Sequence, residues 1–266
     1  MELQELREKP HLSASGISDY IDCGLLYKFG RIDKLEPEFV SDALLLGIAI
    51  HATLAEFYQS KMVGEKMDVK LLHNYFELHW AKCAYGRSDV KYKEGEDYNT
   101  LLMKGKELLS VYINDLPDDN FTIVGIEEPF SFEIEGLPVP IIGVFDLVLE
   151  DSSGVITIVD HKTSARSYSN SEIDNNMQLT IYQMAAKANG YAEREILLRF
   201  DALIKTKTPK FESYYTTRSE WDEKKTAKKI IKVWEGISKG IFIPNDTSWK
   251  CSNCAYKGAC DEWFRR

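Results

Sequence analysis

Two β-branched runs, Ile141–Glu150 and Val155–His161, are separated only by the turn residues Asp151-Ser152-Ser153-Gly154. That spacing predicts an antiparallel hairpin with Asp151–Gly154 as its loop. Shorter strand signals, Thr122–Glu127 and Phe130–Glu135, precede it. A helical pattern over about Glu172 to Ala188 follows it, ending near Gly190. The runs Ile196–Ile204 and Phe211–Thr217 then read as strands, and Ser219 to about Ser238 as a helix. An inserted helix among strands implies a mixed sheet, hence an α/β core.

The residues before this core read as helical. Ser13 or Ser15 can cap a short helix carrying Ile17, Tyr20, Ile21 and Cys23. Asp42 opens a longer one, with Leu44, Ile48, His51, Ala55 and Tyr58 at spacings of three and four. Further helical stretches cover Leu71–Cys83 and Tyr98–Asn114, before Leu116-Pro117-Asp118-Asp119-Asn120 breaks the pattern. The tail after Pro244 reads as irregular. No repeat or linker divides the 266 residues. We therefore expect one domain over 1–266: a mainly helical part (1–115), an α/β core (116–240) and a cysteine-bearing tail (241–266).

Composition narrows the function. There are 33 basic and 42 acidic residues, a formal charge of −9, so this is not a basic nucleic-acid coat protein. A local basic cleft remains compatible with that total. No apolar run approaches the roughly 18 residues of a membrane span, and MELQELREKP lacks the apolar core of a signal peptide. A soluble, cytoplasmic protein is expected, with no membrane partner.

Chemistry enters at Asp160-His161-Lys162. On a strand, Asp160 and Lys162 share a face while His161 points away. Antiparallel pairing brings Asp146, in Gly143-Val144-Phe145-Asp146, toward Asp160. Two carboxylates placed together suit a hard divalent cation. His51 interrupts an apolar helix face, and Gln178 and Tyr182 lie four apart on one face of a later helix. Taken singly, each has an ordinary explanation: an ion pair, a solvated Asp, a hydrogen-bonded core His, a polar fringe.

Taken together, Gly-x3-His, Gly-x2-Asp, Asp-x-Lys and Gln-x3-Tyr, on helix, strand, strand and helix, resemble the RecB-like branch of the PD-(D/E)XK nuclease superfamily. Leu12-Ser13-Ala14-Ser15 with Tyr20 and Cys23, Leu46-Gly47 before the His, and Gln178-Leu179 resemble the same family, over about Leu12 to Cys260. His161 stands where the family usually has Tyr, and Gly24 where it often has Pro. The resemblance implies a restriction-endonuclease-like core, a mixed central sheet flanked by helices, with a helical N-terminal elaboration. It implies Mg2+ or Mn2+ held by His51, Asp146 and Asp160, with Lys162 positioning water or stabilising charge. Gln178 and Tyr182 would orient Lys162 or the DNA backbone.

Cys251-x2-Cys254-x5-Cys260 places three of five cysteines in the last sixteen residues. A four-thiolate centre needs another, from Cys23 or Cys83, and four thiolates suit Zn2+ as well as iron–sulfur. Cys83 falls late in an amphipathic helix, where a buried thiol is the ordinary role. The family resemblance implies Cys23 as the remote ligand of a C-terminal 4Fe-4S loop.

Lys224, Lys225, Lys228, Lys229 and Lys232 form a helical stripe, and Lys205, Lys207 and Lys210 crowd the preceding turn. They are candidate phosphate contacts, though lysine runs are commonly solvated faces. Tyr168, Tyr214, Tyr215 and Trp249 are candidates for base stacking. The chain has no G-x4-G-K-[ST] motif, so no helicase motor. The resemblance implies a stand-alone DNA nuclease, an exonuclease on single-stranded ends, in recombination, repair or CRISPR spacer acquisition with protein partners of such complexes. The alternatives are a non-catalytic DNA-binding or assembly subunit keeping the fold, and a zinc-clipped structural domain.

Overall fold

Ser13 caps the helix over Ala14–Asp22 by accepting from the Gly16 amide, and Ser41 caps that over Asp42–Met62 by accepting from Leu44. These are α2 and α4 of a computed structural model that describes residues 3–116, 120–248 and 250–265. The expected break at Pro117-Asp118-Asp119, and Trp249, lie outside the described residues. The other early elements are α1 (Leu3–Glu8), α3 (Gly24–Tyr27), β1 (Val40–Ser41), α5 (Val69–Ala84), β2 (Val90–Lys91) and α6 (Tyr98–Asp115). Strands β3 (Thr122–Phe132), β4 (Ile141–Glu150) and β5 (Ile156–Ser164) follow. Then come α7 (Asn170–Asp174), α8 (Met177–Ala186), β6 (Ile196–Ile204), β7 (Lys210–Thr216), α9 (Glu220–Ser238) and α10 (Lys257–Arg265). No described helix is long and apolar enough to cross a membrane.

The five-stranded sheet has the order β3-β4-β5-β6-β7, with β5 in the middle. β4 and β5 form the antiparallel hairpin expected, with Leu147 opposite Val159. β5 and β6 are parallel, joined through α7 and α8, and β6 turns back antiparallel into β7. The result is an α/β fold with a mixed sheet and flanking helices. Central position explains the nearly unbroken burial of Ile156 to His161, since such a strand is covered on both faces.

Four expectations need correction. Thr122–Glu127 and Phe130–Glu135 form one strand, β3, bent at Glu127, which holds a left-handed φ of 48°. The helix expected over Glu172–Ala188 is two, because Asn176 caps a fresh start at α8 by accepting from Leu179. The tail is partly helical, in α10. On α4 the buried stripe is Leu45, Leu46, Ala49, Ile50, Thr53, Leu54 and Tyr58, leaving Leu44 and Ile48 about half exposed. This helix is apolar on most sides, so its period alone cannot choose the inward face.

Two compact units emerge, each discontinuous in sequence. One comprises Met1–Val40, Pro129–Gly143 and Ser219–Arg266, the other Ser41–Glu128 and Val144–Arg218. In the first, Leu12 donates its amide to Pro140 O (3.0 Å) and accepts from the Ile142 amide (2.9 Å). Tyr20 packs on Tyr27 and Phe242 and donates to Ile241 O at 2.6 Å. In the second, α5 and α6 are pinned by Trp80 Nε1 donating to Tyr98 O (3.0 Å) and by His73 against Ser110 Oγ (2.8 Å).

The approach of α5 to α6 depends on Gly105. A Cβ there would lie 2.0 Å from Cζ of Phe76, whose side chain is fully buried and cannot retreat. Gly105→Ala should therefore destabilise by about 1–3 kcal/mol, although alanine is the better helix former by about 1 kcal/mol. Urea unfolding tests this; a gain in stability would refute the close packing.

Candidate metal and catalytic site

The hairpin register brings Asp146, in the middle of β4, beside Asp160 and His161 in the second half of β5. Its Oδ2 accepts the His161 amide at 2.8 Å. From α4, His51 reaches in so that Nδ1 lies 3.4 Å from the same oxygen. Glu127, at the bend of β3, supplies a third donor: ligand atoms of His51, Glu127 and Asp146 lie within 4.8 Å of one another. Sequence reasoning missed Glu127, because its position depends on the bend and not on strand alternation.

Asp160 is not in that grouping. Its buried carboxylate is engaged by Lys162, whose Nζ is 2.7 Å from Oδ2, and by Gln178 Nε2, which donates to Oδ1 at 2.9 Å. Gln178 also donates to Tyr182 OH (2.8 Å) and accepts from Lys162 Nζ (3.0 Å). Gln178 and Tyr182 thus do share a face of α8, and they join Asp160 and Lys162 in one network. His161 points away from Asp160 and Lys162, as strand alternation requires. Yet its Nδ1 comes within 3.9 Å of Asp146 Oδ2, since Asp146 arrives from the neighbouring strand.

Beneath this, His161 is completely buried. Its Nε2 is 3.2 Å from Tyr112 OH, which is 2.5 Å from Tyr58 OH and donates to Asp201 Oδ2 at 3.4 Å. Arg199 and Ser213 complete the set on Asp201 at 2.8 Å each.

Burial, and then the neighbouring Asp160, hold the Asp146 carboxyl well above the ordinary carboxylate range. Burial lowers His51 and drives His161 far down, so both imidazoles are neutral. Neutral imidazole is the form that binds a cation. Burial alone would lower Lys162, but Asp160 outweighs it and holds the ammonium above its usual value. Burial also raises Glu127. Asp160 Oδ2 is buried without a well-aligned hydrogen bond, despite the nearby ammonium. An imidazole with carboxylates, under-neutralised in a buried setting, fits Mg2+ and, through the nitrogen donor, Mn2+.

A sequence profile of the PD-(D/E)XK nuclease superfamily matches residues 11–261. The chain belongs to that superfamily. Among solved structures, it is similar to a presumptive exonuclease from Eubacterium rectale, with a TM-score of 0.55 and 12% identity over 91% of this chain and 87% of that one. At that identity the likeness concerns the fold alone. SSO0001 is 14% identical over 88% of this chain and 92% of its own, with a TM-score of 0.38, too low to carry an argument. No curated protein matches the chain.

Four of the five cysteines, Cys23, Cys251, Cys254 and Cys260, lie in the other unit. These four line one cavity of about 150 Å3. Cys23 ends α2 in extended conformation, and its Sγ accepts the Asn245 amide at 3.4 Å. Lys250 is fixed beside it by Asp19 (3.2 Å) and Asp22 (2.7 Å). Gly24 is explained here: its amide donates to Ile243 O at 2.8 Å, which proline could not do, and a Cβ would meet Ile243 N at 2.5 Å. Cys83 sits on α5, half-buried and away from that cavity's lining.

Lys224, Lys225, Lys228, Lys229 and Lys232 are all exposed on α9. Lys224, Lys225 and Lys232 pair with Glu220, Asp222 and Glu235 of the same helix, which dilutes the stripe. Tyr168 and Tyr214 pack edge-on and Tyr214 OH accepts the Tyr168 amide (3.0 Å), leaving Tyr215 the more exposed ring.

A buried carboxyl with a raised pKa favours the protonated folded state. Metal-free stability should therefore fall as pH rises from the unfolded carboxylate range toward the higher folded value of Asp146. Asp146→Asn removes this cost. Its metal-free Tm near neutrality should rise by about 2–4 °C, roughly 1 kcal/mol in a chain of this size, while Mn2+ no longer raises Tm. A lower Tm in the metal-free variant would contradict the electrostatic account.

Proposed function

We propose that this protein is a metal-dependent DNA nuclease that removes nucleotides from single-stranded ends. The observation that carries it is the convergence, in one unit, of His51, Glu127 and Asp146 within 4.8 Å, next to the Asp160–Lys162–Gln178 network. Family membership supports hydrolysis of phosphodiesters. Action at ends is our reading of the motif resemblance; the E. rectale protein, described as a presumptive exonuclease, shares the fold.

In this reading His51, Glu127 and Asp146 hold Mg2+ or Mn2+, with Asp160 at hand as a further ligand. Such an ion lowers the pKa of bound water and neutralises charge on the scissile phosphate. Lys162 acts by charge. Its raised pKa keeps it protonated near neutrality, so it orients water and stabilises the transition-state oxyanion without serving as the base. Gln178 fixes the ammonium by accepting from it, and Tyr182 fixes Gln178. The lysines of α9 and the Tyr215 ring are our candidates for phosphate and base contacts. Recombination, repair and CRISPR spacer acquisition are the processes such an activity would serve.

Labelled single strands incubated with Mn2+ should be shortened from an end. Asp160→Ala should slow this by at least about 100-fold, with binding in EDTA retained. Equal cleavage by both proteins would sink the assignment.

We further propose that Cys23, Cys251, Cys254 and Cys260 hold a 4Fe-4S cluster. Support comes from their lining one shared cavity. Anaerobically purified protein should be brown and carry about four iron atoms per chain. Cys251→Ala should lose both iron and thermal stability. Stoichiometric zinc without iron would replace the cluster by a structural ion.

A further inference from the structure

Three lysines, Lys93, Lys104 and Lys205, line a second cavity, of about 110 Å3, in the unit that holds the catalytic network. They come from separate places: the loop after β2, the second turn of α6 and the residue after β6. Leu46 and Ala165 form part of the wall. Ala165 lies three residues beyond Lys162, about 10 Å along an extended chain.

The charges do not balance. Two carboxylates also line the cavity, Asp42 and Glu96. Asp42 is occupied by backbone amides, accepting from Ala43 (2.6 Å) and Lys93 (2.9 Å). Glu96 is ion-paired with Lys104. The Lys205 amide is fixed to Ser164 O at 2.7 Å, but among the described residues its ammonium makes no hydrogen bond and no ion pair within 4 Å. Burial, and then Lys93, push Lys205 below its ordinary pKa despite Asp42 and Glu96. An ammonium held among other ammonium groups in a cavity this size calls for an anion with several oxygens.

We infer that the Lys93–Lys104–Lys205 cavity binds a phosphate monoester, the terminal phosphate of a nucleic-acid strand entering the catalytic site. This rests on the nuclease reading and deepens it. Such a pocket would select which ends are processed. Inorganic phosphate offers the same chemistry, so the test separates the two sources.

Equilibrium binding in EDTA, where cleavage cannot occur, should compare one single-stranded oligonucleotide bearing a 5′-phosphate, a 3′-phosphate or hydroxyl ends, with inorganic phosphate as competitor. One phosphorylated form should bind about tenfold more tightly than the hydroxyl form, the contribution of one charge-assisted hydrogen bond. Lys205→Gln and, separately, the exposed Lys93→Gln should erase that preference, while Lys205→Arg keeps it. The hydroxyl-ended strand serves as the internal control for folding in each variant. Lys205-dependent binding of inorganic phosphate with no preference among strands would keep the anion site but assign it to free phosphate. Equal affinities for all strands with no phosphate binding, or a preference that survives Lys205→Gln, would overturn the proposal. Cleavage of the hydroxyl-ended strand with Mn2+ tests the nuclease reading separately, so either can fail alone.

Discussion

Two carboxylates on adjacent strands of one hairpin, Asp146 and Asp160, repel each other in a site where water is too scarce to screen them. Nearly every polar group around them answers that repulsion. Lys162 neutralises Asp160, Gln178 donates to it, and the His161 amide donates to Asp146. Even so, Asp146 remains far from comfortable as an anion. Residual strain of this electrostatic kind would give a divalent cation its affinity, because binding would relieve it.

The floor of the site is a buried polar layer that an apolar core would make cheaper. Arg199 and Asp201 form an ion pair with almost no exposure, and such pairs are costly unless their remaining donors and acceptors are matched. Here Ser213, Tyr112, Tyr58 and His161 do much of the matching. The layer fixes His161 on β5, and through its amide fixes Asp146. His161 suits this role: a ring with a hydrogen-bonding tip meets Tyr112, while its other nitrogen lies near Asp146.

The cysteine-lined cavity follows a different logic. Residues from early and late in the sequence meet there through hydrogen bonds, among them Gly24 with Ile243 and Glu38 with Ala255 between backbones, and the Asn245 amide to Cys23 Sγ. Lys250 adds a positive charge between Asp19 and Asp22. A bound cluster would tie a fold already closed by those contacts, and would constrain a loop of more than two hundred residues (Cys23 to Cys251) in the unfolded chain.

Local sequence determined the hairpin, its polar turn, the helix cap at Ser13, and the grouping of Asp160 with Lys162 and of Gln178 with Tyr182. Those follow from short-range periods and side-chain capping, which act within a few residues. The break before α8 also has a local cause, the Asn176 cap, but it was hidden in a pattern that read as one helix. Other features were decided only in three dimensions. The inward face of α4 was chosen by packing, since Leu44 and Ile48 are as apolar as Leu45 and Ile50. Glu127 joined His51 and Asp146 because β3 bends at a left-handed residue, and Lys205 met Lys93 and Lys104 from three separate segments. Periodicity tells which residues share an element's face; the partner across that face is set by the whole chain's effort to bury apolar surface, which no short stretch encodes.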